Sequence, residues 1–165
     1  MSGVEYLGKL EWSIRKLSRA LKIAHWEVEK YMKDGRRISF ICERRVAKEY
    51  FGVDETAPEK SSYDFEDKSG LKWEVRSISK GGTYFSKSSN VGSGRRFSEQ
   101  DYRDKLDLIE GYILCDIDEF PKIPVWRVKV STIKKWDEDG ELNADKKISR
   151  DKVLSLIEAE LASPY

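Results

Sequence analysis

Between residues 5 and 33, apolar side chains recur at alternating spacings of four and three: Leu10, Ile14, Leu17, Leu21, Ala24, Val28 and Tyr31. That spacing gathers them on one helical face. Lys9, Arg15, Lys16, Arg19 and Lys22 fall on the other, and Asp34-Gly35 supplies a stop. The pattern predicts one long amphipathic helix. Ser39 can cap a second helix over 40–51, closed by Gly52. A polar connection over 53–61 leads into 62–67 and 71–79, which read as two strands of a β-hairpin turning near Ser69-Gly70. Residues 80–97, rich in Gly, Ser, Lys and Arg, read as an exposed loop with room for a short strand. Ser98 starts a helix with acidic residues in its first turn, running to about Glu110. Residues 112–116 form a compact apolar run, the mark of a central strand. Pro121 and Pro124 bracket a turn, and 125–130 alternates as a half-buried strand. A short helix from Ser131 to Trp136, a turn at 137–140 and a last helix over 150–161, capped by Ser149, follow. This order predicts an α+β fold, a mixed sheet flanked by helices on both faces.

Composition narrows the class. The 165 residues suit one domain with a real core. Five Trp, eight Tyr and six Phe favour a folded globule over a disordered tail. The net charge of +1 does not announce a nucleic-acid binder, although an uneven charge distribution can still make a basic cleft. No apolar run reaches membrane-span length and no signal-peptide pattern is present, so a cytoplasmic protein without a membrane partner is expected. Cys42 and Cys115 lie in apolar segments and are expected to be reduced and buried. The single histidine, His25, excludes most zinc sites and any two-histidine mechanism. Gly92-Ser93-Gly94 lacks the context of a phosphate-binding loop.

The hairpin carries the chemistry. Asp64 and Glu66 share one strand face, as do Glu74 and Arg76. A turn centred near Ser69-Gly70 pairs Glu66 with Lys72 and Asp64 with Glu74, and directly opposed side chains lie roughly 5 Å apart. Two carboxylates that close repel unless a cation sits between them. Oxygen-only ligation favours Mg²⁺, with Mn²⁺ an alternative, held by Asp64, Glu74 and the Val75 carbonyl. Trp73 and Val75 should turn their side chains into the core. Glu66 is a spare acid, and Asp67 suits turn chemistry. The plainer alternative is a solvated hairpin in a chain that is 37% charged.

With its acids in this order, the chain resembles the PD-(D/E)XK nuclease superfamily, and within it the small type II restriction endonucleases. The helix element is Glu43-Arg-Arg-Val-Ala-Lys-Glu-Tyr-Phe-Gly52, and the hairpin is Asp64 with Glu74-Val-Arg-Ser77. The later helix and strands follow, so the likeness spans 40–136 of a single domain over 1–165, with the long helix within 1–36 and a last helix over 149–161. It implies a restriction-endonuclease-like mixed central sheet, Mg²⁺-dependent hydrolysis of DNA phosphodiester bonds, double-stranded DNA as partner, and a homodimer matched to a palindromic site. A repair or junction-resolving nuclease, or an inactive DNA-binding module on the same scaffold, are the alternatives. Where the family usually has lysine, this chain has Arg76, which keeps the charge but stays protonated. Lys80 has the same strand parity and could reach back if the strand runs that far. Otherwise the metal alone must activate water. Glu43 either orients water or metal from its helix or pairs with Arg44 or Lys48. In the loop over 80–96, Lys87, Arg95 and Arg96 suit phosphates or guanine edges, and Asn90 suits adenine.

Overall fold

The computed structural model describes residues 2–87, 90 and 94–163. Gly8 decides how the chain begins. Its φ of 137° lies outside any helix and marks a bulge in a strand, β1 (Val4–Glu11). Ser13 then caps α1 (Ile14–Leu21), accepting the Lys16 N–H at 3.2 Å. Lys22 turns left-handed and ends it, and α2 spans His25–Met32. The long helix expected over 5–33 is therefore a strand and two short helices. The four-and-three spacing was spread over separate elements: Leu10 and Val28 are buried from different ones, while Leu21 and Tyr31 are exposed. Asp34, read as a stop, is a start. Its carboxylate accepts the Arg36 N–H at 3.0 Å and caps α3 (Gly35–Phe51), leaving Ser39 inside the helix.

The remaining elements are β2 (Phe65–Glu66), β3 (Lys72–Ile78), β4 (Thr83–Tyr84), α4 (Glu99–Leu108), β5 (Gly111–Asp116), a 3₁₀ turn (Ile117–Glu119), β6 (Lys122–Lys129), α5 (Val130–Glu138), β7 (Lys147–Ile148) and α6 (Arg150–Ala162). Ser98 and Ser149 cap α4 and α6 as the sequence suggests. β6 begins at Lys122, so Pro124 lies within a strand rather than bracketing a turn. Pairing with β5 stops at Val125, and beyond it β6 has one neighbour, where a missing N–H is tolerated.

The five-stranded sheet has the order β1-β6-β5-β3-β2. β3 and β5 run parallel and the other neighbours antiparallel, which makes the sheet mixed. Alternation along the central strand β5 requires a layer on each face. Tyr112 and Leu114 pack with Leu106 of α4, Ile133 and Trp136 of α5 and Val153 of α6. Ile113 and Cys115 pack with Val28 and Met32 of α2 and Ile38 and Cys42 of α3. The fold is α+β, with helices on both faces. Both cysteines are buried and free. Among the described residues no helix is long and apolar enough to cross a membrane.

One detail of this sheet makes the site. β2 is two residues long and pairs β3 only through Lys72 and Trp73. From Glu74 onward, β3 has a strand neighbour on its β5 side only.

Candidate active site

The hairpin has the register its turn implies: Glu66 opposes Lys72 and Phe65 opposes Trp73. Asp67 builds the turn, accepting from the N–H groups of Ser69 (2.8 Å) and Leu71 (3.1 Å) and from Trp73 Nε1 (2.8 Å). Gly70 supplies the positive φ. The Asp64 N–H donates to the Trp73 carbonyl at 2.9 Å. Its side chain then does what a longer β2 would have done: Oδ2 accepts the Val75 N–H at 2.7 Å. Asp64 thus stands level with Glu74 at the point where β3 loses its neighbour. Val75 packs into the α3-side core as expected, and its backbone faces Asp64.

Glu74 and Arg76, two apart on β3, are both buried. Glu74 Oε1 lies 2.9 Å from Arg76 Nη2, and Oε2 lies 2.7 Å from Lys105 Nζ on α4. Arg76 also donates to the Ser86 carbonyl at 3.0 Å, and Lys105 to that of Ser62. Burial alone would lower the Arg76 pKa, but Glu74 together with Tyr112, Tyr84 and Asp64 outweighs it and holds the guanidinium charged. Lys105 is a residue the sequence reading missed. A signal was present: with Tyr102 and Leu106 it forms the buried face of α4, and a lysine on such a face needs a buried acid.

Glu43 arrives from α3, half-buried. Its carboxyl is raised by burial and by Glu74, against Arg44 and Arg76. Asp64 is pushed up to about 7 by burial, by Glu74 and by Glu43, against the Val75 N–H and Arg76. Three acids from α3, the hairpin and β3 therefore converge closely enough for Glu74 and Glu43 to oppose ionisation of Asp64, and Glu74 that of Glu43. Asp64, Glu43 and Arg76 line a cleft of about 580 Å³, joined by Arg36, Tyr84 and Arg95.

The other sequence candidates divide. Arg95 reaches the cleft. Lys80 does not reach back: β3 ends at Ile78, and Lys80 is exposed in the tight turn closed by the Ser79–Gly82 bridge. Lys87 is half-buried beside Ser62 and Lys105, around a separate hollow of about 190 Å³. The Asn90 amide donates to Asp101 at 2.9 Å and so braces the start of α4. Arg96 is exposed. Residues 88, 89 and 91–93 of the expected DNA-contacting loop lie outside the described residues.

The donors are all oxygen and mutually repulsive, which suits a hard cation. The arrangement is not a finished cage. Among the described residues no three His, Cys, Asp or Glu side chains stand ready to hold a metal ion, and Glu74 spends both oxygens on Arg76 and Lys105. No protein-family model, no curated protein and no solved structure matches this chain.

Proposed function

We propose that this chain is a Mg²⁺-dependent DNA endonuclease on a PD-(D/E)XK-like core, acting on double-stranded DNA as a homodimer in the manner of type II restriction enzymes. The observation that carries the reading is the convergence of Asp64, Glu43 and Glu74 with Arg76 at one open sheet edge. Asp64, Glu43 and the Val75 carbonyl would hold the ion, and Glu74 would join them by giving up Lys105 or Arg76. Bound there, Mg²⁺ or Mn²⁺ would lower the pKa of a bound water and set positive charge against the phosphate. The chain's own part is electrostatic. Arg76, fixed by Glu74 and Ser86, steadies the charge that develops on a phosphate oxygen. It stays protonated and cannot serve as the base. Asp64 is held up to about 7 by burial and its acidic neighbours in the metal-free site, so taking up the ion would release its proton. Arg36 and Arg95, on the cleft wall, suit the flanking phosphates.

A second reading, an inactive DNA-binding module, is favoured by the two cations that saturate Glu74. Incubation of supercoiled plasmid with and without Mg²⁺ or Mn²⁺, beside Asp64→Ala and Glu43→Ala, separates the two. Metal-dependent cutting lost in both variants is expected. Intact plasmid that is nevertheless bound would give the second reading its place.

A further inference from the structure

Beside the cleft, α3 carries a second stripe, turned about 100° from the first. Arg36, Ser39 and Glu43 line the cleft. Arg37, Phe40 and Arg44 lie one position on and face solvent. Phe40 is 60% exposed, and the Arg44 guanidinium sits over its ring at 3.3 Å. One turn earlier, the Arg37 guanidinium sits 5.3 Å from the ring of Tyr31 on α2, itself 43% exposed. The stripe joins the cleft directly, because Arg44 Nη1 also lies 3.9 Å from Glu43 Oε2. The helix that carries Phe40 is cationic: α3 has Arg36, Arg37, Arg44, Arg45 and Lys48 against Glu43 and Glu49, with Asp34 at its start beside Arg36 and Arg37.

We infer that the Tyr31–Arg37–Phe40–Arg44 stripe binds unpaired nucleotides of single-stranded DNA next to the cleft. This rests on the endonuclease reading and narrows it: the double-stranded DNA that is cut would carry a single-stranded stretch beside the cleft. Exposed rings paired with guanidinium planes offer flat surfaces on which bases stack, while the arginines meet the backbone. A regular duplex cannot use them, since its bases already stack on one another. The strand that lies across Phe40 continues past Arg44 to Glu43 and the cleft. A protein partner would need an apolar surface without this density of like charge.

The test is fluorescence anisotropy in chelator, so that no cleavage is required, with a labelled oligothymidylate, a forked duplex and a blunt duplex. The fork and the single strand should bind about tenfold more tightly than the blunt duplex. Phe40→Ala and Tyr31→Ala should each remove most of that preference, and Phe40→Trp should restore it. Both rings are exposed, so unchanged melting temperatures certify the fold. Equal binding of blunt duplex and single strand, unchanged preference in both alanine variants, or conversion of a dimer to monomer by Phe40→Ala would overturn the inference. Plasmid cleavage is scored separately: a preference for single strands in a protein that cuts nothing would sink the nuclease reading and leave the stripe standing.

Discussion

Lys105 Nζ lies 2.7 Å from Glu74 Oε2, tying α4 to β3 across 31 positions of sequence with both side chains withdrawn from water. The pair fixes the wall behind the cleft and keeps one acid occupied.

Removing the lysine leaves a buried carboxylate short of a partner. Breaking a buried pair costs about 3–5 kcal/mol, so Lys105→Ala should lower the unfolding free energy, measured by denaturant melts, by that order. Lys105→Met keeps the stem and frees Glu74 Oε2. Mg²⁺ or Mn²⁺ should then raise the melting temperature of Lys105→Met by more than that of the wild type. Equal metal responses would count against Glu74 as a ligand.

Asp64 makes stability depend on pH. Its folded pKa, near 7, lies above the usual value of about 3.9 for the unfolded chain. Between those values the folded protein retains a proton that the unfolded chain has released. Stability therefore falls as pH rises through this window. In chelator, Asp64→Asn should melt close to the wild type near pH 4 and increasingly above it by pH 8, and Mg²⁺ should narrow the gap. A difference that does not change with pH would refute the shift.

Asp116, the last residue of β5, is buried and receives Arg150 from the first turn of α6 through two bonds, Nε–Oδ1 at 3.0 Å and Nη2–Oδ2 at 2.8 Å. Nη2 also reaches Glu119 at 3.0 Å. Arg150→Ala should cost about 3–5 kcal/mol by stranding Asp116. Asp116→Asn in the same chain should recover part of that loss. Denaturant melts of the two single variants and the double variant measure the coupling, and strict additivity would show that the pair does not act as a unit.

Asp67→Ala removes three bonds from the hairpin turn and strands the Trp73 indole N–H. A loss of roughly 1–3 kcal/mol is expected, together with a changed Trp emission. If Asp64 owes its position to this turn, cleavage should fall even where the variant remains folded. Plasmid assays run below its melting temperature check this.

The hairpin was legible because its signals are local. Ser69-Gly70 sets the turn, Asp67 closes it, and period-two patterning fixes which acid opposes which residue. The central strand was equally plain, since an apolar run buried on both faces needs no partner to be recognised. The first thirty residues misled because a spacing of four and three ran across element boundaries. Gly8 and the Ser13 cap were the local evidence against a helix there. At the site, Asp64, Glu43 and Arg76 could be read from order, and Lys105 showed as a lysine on an apolar helix face, but its partner could not be read. Its meeting with Glu74 depends on how α4 folds back along β3, a contact that no local spacing records.

Gly8 has one more consequence. β1 is the outermost strand on its side, and the bulge bends its ladder midway. A bent edge is a poor template for another strand. At the opposite edge β2 offers only two residues, and past it Asp64 already caps the first open N–H of β3. Each edge of this sheet is thus interrupted within a few residues. A fibre built by adding strands to either end of this five-stranded sheet would find only a short or bent run to pair with.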